Sequence, residues 1–337
     1  MPNSTHPGIR SLDDSYSLIR YPWVSEASPL SENPEQSVPD RDSASEKARD
    51  YYDENTPGIY LSGWNRDHIH FGLFEPGECP AAGEVLADSE GLARAVERMV
   101  KVIIEPGEIQ AHHHVVDAGC GVGGTAIYLA RTRRCRVTGV NLNRMQLEIA
   151  TEKARDAKLA DRVRFDYADC SKRLPFAEAS IDVVVNIESA CHYGDRARFI
   201  HEVARILKPG GKIVAMDWTA RDGLSREEYD RYILPLCEPF AVHGLESPTT
   251  YREKLEGAGL QVLEFAGFDG KDADNLQLVK NAYNLLTNLR LSGIDTPGIH
   301  RLTDQFQTLC DAWTNGSFEL NRYCARKPEA GASTSAG

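Results

Sequence analysis

No apolar run in these 337 residues approaches the ~18 needed to cross a bilayer, which sets aside a helical membrane protein. The N-terminus lacks the basic and apolar regions of a signal peptide, so no targeting leader is expected. An excess of positive charge is missing too. Against 38 Lys and Arg stand 50 Asp and Glu, a formal net charge of −12, and this argues against a nucleic-acid or anionic-membrane surface. The eight cysteines (Cys79, Cys120, Cys135, Cys170, Cys191, Cys237, Cys310 and Cys324) include no C-x-x-C pair. Several lie inside apolar strand or helix patterns, where a free thiol behaves as a small hydrophobe. Reduced thiols and a cytoplasmic location are expected. No internal repeat is visible.

What remains is a globular composition, 41% hydrophobic and 26% charged. The length suits one large α/β domain with a substrate-covering part, or two small domains. Residues 1–44, rich in Ser, Pro, Asp and Glu, read as a disordered or loosely docked arm, with "YSLIRYPW" the stretch able to dock. Residues 45–105 read as an N-terminal helical lid and access segment: "SEKARDYYDEN" is helical before a break at Pro57-Gly58, and "GLARAVERMVKVI" is amphipathic. From 106 to 218, strand, turn and helix alternate: "HHVVDAG", "GGTAIYLARTR", "CRVTGVNL", "RMQLEIATEKARDA", "VRFDYAD", "IDVVVNIES", "RARFIHEVARIL" and "KIVAMDW". Such alternation predicts a doubly wound, mostly parallel sheet of seven-stranded type. Residues 219–328 supply a helical cap and the last strands, "QVLEFAGF" and "SFELNRYCARK". The tail 329–337 is low in complexity and expected to be disordered.

"VVDAGCGVGG" sets Gly119, Gly121 and Gly124 in G-x-G-x-x-G spacing between a strand and a helix, where a ligand can approach the backbone at a helix N-terminus. Alone this also suits a nicotinamide dinucleotide fold. Three neighbours bear on the choice. Asp117 precedes the first glycine by two residues, placed to receive an ammonium or to order the loop. The second strand ends in Asn141 rather than the acid that usually grips an NAD ribose. The third ends in Ala168-Asp169-Cys170, followed by "RLPF".

Together "VVDAGCGVGG", "GVNLN", "YADCSKRLPF", "IDVVVNIESACHY" and "RILKPGGKIVAMDW" resemble the successive motifs of class I S-adenosylmethionine-dependent methyltransferases, over residues 112 to 218. The resemblance implies a Rossmann-like fold and S-adenosyl-L-methionine as cofactor. It implies that Asp117, Gly119 and Gly121 hold the methionine part, that Asn141 bonds the ribose hydroxyls, and that Asp169 bonds the adenine amino group. Leu142, Gln146, Cys170 and Asn186 join the same set. "YYDENTPGIYLSGWNRDHIHFG", "GVNLN" and "IESACH" are further similar to sterol, tocopherol and prenyl-type C-methyltransferases. This implies C-methylation of an isoprenoid-like alkene, with O- or N-methylation of a natural-product small molecule as the alternative and a non-catalytic cofactor-binding protein as a third reading. Mg²⁺ is expected only if the acceptor is a diphosphate. The partner is a small-molecule acceptor, and a homodimer stays open.

Glu188 and His192 lie at the mouth of the apolar strand "SIDVVVNIES", where ionisable groups are costly unless paired or used. Glu188 is the expected base and His192 its orienting or relaying partner. Tyr51, Tyr52, Trp64, Tyr193 and Trp218 are the expected acceptor-binding aromatics. The bland alternatives are that Glu188 caps the helix beginning near Asp195 and that His192 is structural. His112, His113 and His114 alternate faces in a strand and cannot converge on one ion. His68 and His70 share a face if extended and are the better metal or substrate candidates, but with no third ligand nearby no metal site is expected.

Overall fold

The computed structural model describes residues 43–56, 64–81, 84, 86–268, 270, 273–291 and 297–329. The arm bearing "YSLIRYPW", the Pro57-Gly58 break and the residues after 329 lie outside the described residues. The strands are β1 (His114–Ala118), β2 (Arg136–Asn141), β3 (Val163–Tyr167), β4 (Ile181–Ile187), β5 (Leu207–Ala220), β6 (Gln261–Ala266) and β7 (Phe318–Arg326). They form one seven-stranded sheet in the order β3-β2-β1-β4-β5-β7-β6. The first five pair in parallel, and β7 runs antiparallel between β5 and β6. This is the doubly wound, mostly parallel sheet that the alternating pattern predicts.

β-Branched residues hold its centre. Val115, Val116, Val184 and Val185 are fully buried, each side chain contributing roughly 1.5–3 kcal/mol. The helices are α1 (Ser43–Asn55), α2 (Glu90–Ile104), α3 (Gly124–Arg133), α4 (Arg144–Asp156), α5 (Arg196–Ile206), α6 (Pro248–Gly257), α7 (Ala273–Leu291) and α8 (Pro297–Thr314). α2 packs Leu92, Met99 and Ile104 on the face of Val115 and Val185, while Phe199, Ile200 and Val203 of α5 cover the face of Val116 and Val184. Side-chain caps start several of these helices: Ser89 accepts from the Leu92 N–H, Asn143 from Gln146, Asp195 from Arg198. Each is worth about 1 kcal/mol. α5 ends at Ile206, and Lys208-Pro209-Gly210-Gly211 directly begins β5, with Gly210 N–H donating to Lys327 C=O at 2.8 Å.

Two features position the site. Strand order reverses between β1 and β4, so a crevice opens beyond the carboxyl ends of β1, β4 and β5. Residues 64–81 run over that crevice and are bonded on both sides. Glu188 Oε1 accepts from the Phe71 N–H at 2.8 Å. Asn275 of α7, fully buried, accepts from the Gly72 N–H at 3.2 Å and donates to the Gly72 C=O at 2.7 Å. No helix among the described residues is long and apolar enough to cross a membrane.

Candidate active site

The glycine loop follows β1 and folds back on β2, the Gly119 and Cys120 N–H groups both donating to Val140 C=O at 2.8 and 3.1 Å. Gly119 has φ +74°, and a Cβ there would lie 1.8 Å from Ser189 Oγ, so no side chain fits. Gly121 (φ +51°) faces open space. Beside it lies a cavity of about 70 Å³ bordered by Asp117, Gly121 and Thr125. Asp117 is buried, and burial pushes its pKa up to about 7 although the nearby Ala126 N–H pulls the other way. Asp117 Oδ2 and Asn186 Oδ1 are buried acceptors without partners among the described residues. Of the two, Asp117 borders this cavity at the start of α3, where an ammonium-bearing amino acid end would supply its missing donor.

A second cavity of about 60 Å³ continues between the ends of β2 and β3, bordered by Asn141, Leu142, Asp169 and Cys170. Asn141 Nδ2 donates to Gln146 Oε1 at 2.6 Å, and Gln146 Nε2 donates to Thr56 Oγ1 at 2.8 Å. The amide of Asn141 is thereby oriented from just beyond α1, while its Oδ1 accepts from the Leu142 N–H at 2.8 Å. Asp169 Oδ1 accepts from the Ser171 N–H at 2.8 Å, and Lys172 Nζ stands 3.6 Å from its Oδ2. Amide and carboxylate groups in this order suit a ribose and an exocyclic amine, so the residues present fit S-adenosylmethionine.

The third cavity, about 80 Å³, is walled largely by apolar and aromatic side chains. Tyr51 and Tyr52 of α1 border it, as do Trp64, Phe71, Trp218 and Phe240. Phe71 stacks on Trp218 with centroids 6.1 Å apart. Glu188 sits at the carboxyl end of β4 with φ +45°, a left-handed conformation that an L side chain adopts at a cost. Its Oε1 accepts from Phe71 N and its Oε2 from Trp218 Nε1 at 2.9 Å. It caps no helix; Asp195 does that for α5. Burial pushes Glu188 up to about 8, the two N–H donors pulling against that shift.

His192 is held in one tautomer. Nδ1 lies 3.0 Å from Ala241 C=O and must be the donor, which leaves Nε2 as a lone pair facing the Tyr52 hydroxyl at 3.0 Å. Burial lowers its pKa to about 4 and raises that of Tyr52, so a neutral imidazole meets a neutral phenol. Tyr52 and His192 border all three cavities. Behind them the buried Arg196 donates to the carbonyls of Ala190 (2.9 Å), Cys191 (2.7 Å) and Gly244 (2.5 Å), bracing the turn that carries His192.

The structure thus gathers Glu188, His192, Tyr51, Tyr52, Trp64 and Trp218 around one cavity. Tyr193 is a correction. The short 3₁₀ turn Ala190–His192 sends it the opposite way, and its hydroxyl meets Ser189 Oγ (2.8 Å) and Asn186 Nδ2 (3.3 Å) at the edge of the second cavity. His70, weighed from sequence with His68 as a metal or substrate candidate, borders the acceptor cavity; missed from sequence were Phe71 and the α8 residues Gln305 and Phe306, which border it too. Phe71 lay within a motif already singled out, but nothing in α8 marks which face meets a ligand. His114 bonds Thr138 Oγ1 at 2.9 Å, away from the site. Among the described residues no group of three or more His, Cys, Asp or Glu could hold a metal ion.

The family described as "Methyltransferase domain" matches residues 116–215. Methyltransferase GfsG of Streptomyces halstedii is 34% identical over 245 residues, 73% of this chain and 84% of that protein. The chloroplastic tocopherol O-methyltransferase of Arabidopsis thaliana is 30% identical over 227 residues, 64% of this chain and 63% of its own length. Among solved structures, geranyl diphosphate C-methyltransferase from Streptomyces coelicolor A3(2), bound to Mg²⁺, geranyl diphosphate and S-adenosyl-L-homocysteine, superposes with a TM-score of 0.65 at 19% identity, covering 86% of this chain and 100% of that one. That last likeness is one of fold.

Proposed function

Since the chain belongs to the class I S-adenosylmethionine-dependent methyltransferases of small molecules, we propose that it methylates a hydroxyl group on an uncharged, largely apolar acceptor, with His192 as the base. The observation that carries this reading is the fixed tautomer of His192: an accepting Nε2, met here only by the Tyr52 hydroxyl among the described residues, where the three cavities meet. When bound, the cofactor supplies a methyl group already activated on a sulfonium, whose positive charge disappears as the methyl leaves. The work left to the protein is alignment and proton removal. A proton arriving on His192 Nε2 replaces that lost positive charge, so the buried site keeps its net charge through the reaction. Here the Tyr52 hydroxyl meets the Nε2 lone pair, and the acceptor hydroxyl takes that place. Ala241 C=O holds the ring as it becomes an imidazolium.

The acceptor class follows from the walls. No Lys or Arg borders the cavity among the described residues, and His70 and His192 are both held neutral by burial. A diphosphate or an amino acid carboxylate would find no countercharge, which disfavours the Mg²⁺-dependent prenyl diphosphate variant. Relatives that methylate hydroxyls, as the tocopherol O-methyltransferase is named for, support the same reading.

C-methylation of an isoprenoid-like alkene, the chemistry first expected, is the second reading. The aromatic pair Phe71 and Trp218 beside Glu188 favours it, as faces for a cation next to a proton acceptor. It ranks second because a carboxyl raised to about 8 keeps its own proton at neutral pH. Transfer of labelled methyl into natural-product extracts, with the new methyl located by NMR, tests the assignment. With His192 as base, the rate stays flat from about pH 6 to 9. A rate that rises through pH 8 with the methyl on carbon overturns O-methylation in favour of Glu188.

A further inference from the structure

His68 and His70 are both buried, at 6% exposure each, and the chemistry above uses neither. They form a directed pair. His70 Nδ1 lies 2.7 Å from Phe71 C=O and must donate to it. His70 Nε2, 3.1 Å from His68 Nδ1, is then the acceptor and His68 Nδ1 the donor. His68 Nε2 is left as a bare lone pair without a partner among the described residues. The ring borders the cavity beside the glycine loop.

That cavity wall is the N-terminus of α3. A Cβ on Gly124 would lie 2.0 Å from Asp67 C=O and 2.8 Å from His68 Cε1, so residues 67 and 68 press directly on the first turn. Helix N–H groups there have no intrahelical partner, and the local field favours an anion. Lys153 of α4 and Arg131 of α3 add positive charge toward His68. Lys153 is paired with Asp67 at 2.9 Å, and Arg131 with Glu97 at 2.8 Å. Across the cavity the orphaned Asp117 Oδ2 awaits a cation. An amino acid end has one group of each sign.

We propose that the His68–His70 pair binds the carboxylate of the cofactor's methionine end and takes up one proton in doing so. The connectivity forces the proton. A carboxylate needs a donor at His68 Nε2, and His70 Nδ1–H is pinned to Phe71 C=O. Moving the shared hydrogen from His68 Nδ1 to His70 Nε2, so that His68 could carry its own proton on Nε2, would therefore leave His70 doubly protonated. Only a pair carrying one extra proton presents Nε2–H while keeping both other bonds. Were the pair to face an ammonium or a hydroxyl instead, the lone pair would accept and no proton would be taken up. This inference rests on the cofactor assignment and not on the acceptor chemistry, so methyl-transfer assays and the binding test fail independently.

The test is calorimetric titration of the full chain with S-adenosylhomocysteine in buffers of equal pH and different ionisation enthalpy. Asp117, facing the ammonium, releases protons on binding, but equally in wild type and variants. Wild type should take up about one proton more per ligand than His68→Gln, and its affinity advantage should grow by up to about tenfold per pH unit as pH falls through neutral. In His70→Gln the amide can turn to donate to His68 Nδ1, which frees Nε2–H without a proton; binding should persist and the extra uptake vanish. Should His68→Gln fail to fold, His70→Gln decides alone. Equal proton uptake in wild type and the folded variants would overturn the proposal.

Discussion

Glu188→Gln separates the carboxyl's charge from its shape. In the folded protein burial moves this group from an ordinary 4.5 to about 8. The native state therefore binds the proton more tightly than the unfolded chain does. Stability from this group is fully present below about pH 4.5, declines as pH rises, and is lost once pH passes about 8. The full shift corresponds to roughly 5 kcal/mol, which solvent at the cavity wall reduces to roughly 2–4 kcal/mol. Glutamine titrates nowhere in that range. It does leave one of the two N–H donors, Phe71 N or Trp218 Nε1, facing an amide N–H, a pH-independent cost of about 1–3 kcal/mol. The variant should thus be less stable than wild type near pH 5 and match or exceed it above about pH 8. Asp117, His70 and His192 titrate alike in both proteins and cancel in the comparison. Urea denaturation from about pH 5 to about pH 9, analysed as a difference, measures the crossing. A stability difference that does not move with pH would mean that Glu188 is ionised throughout, and would restore it as the base of first choice.

His192→Asn should slow methyl transfer by ~10²–10⁴-fold while weakening S-adenosylhomocysteine by no more than about tenfold in calorimetry, because the ring is one of many residues along the cofactor cavities but the one whose Nε2 takes the proton; wild-type turnover would refute its role. In the wild type, a pKa near 4 for His192 means the rate falls only as acid protonates Nε2, so activity lost already between pH 7 and 6 would contradict the neutral tautomer. Asp117→Asn removes the charge facing the ammonium and should weaken the cofactor about ten- to a hundredfold in the same titration, whereas unchanged affinity would misplace the methionine end. Gly124→Ala drives a methyl group against Asp67 C=O, costing about 1–3 kcal/mol in melting experiments and lifting residues 67–68 from α3; wild-type stability together with wild-type cofactor affinity would refute that contact.

The cofactor half of the site was legible because its determinants are local. A β-branched strand, a glycine turn and a capped helix lie within a dozen residues of Asp117, and the loop's hydrogen bonds stay within β1 and β2. The acceptor half was less so. Glu188 is defined by donors 117 and 30 residues away, Phe71 and Trp218, and no sequence window holds all three. α8 carries ordinary helical periodicity, so nothing distinguishes Gln305 and Phe306, which meet the cavity, from residues that meet the core. Tyr193 was placed with the acceptor as one of the aromatic faces near the strand end. A three-residue turn of 3₁₀ geometry between strand and helix reversed its direction, and strand alternation does not anticipate that. His68 and His70 were correctly paired on one face, but their direction required seeing Phe71 C=O.

The two bonds between Asn275 and Gly72 join positions 203 residues apart. They give the access segment, in one side chain, the donor and acceptor that a neighbouring strand would have offered. Residues 64–81 and helix α7 are therefore one structural part. Recombining this enzyme with a relative to change its acceptor range should succeed when both pieces come from the same parent and fail when either travels alone, because a foreign helix without an amide at position 275 would strand the two buried backbone groups of Gly72, beside the cavity wall that Phe71 forms.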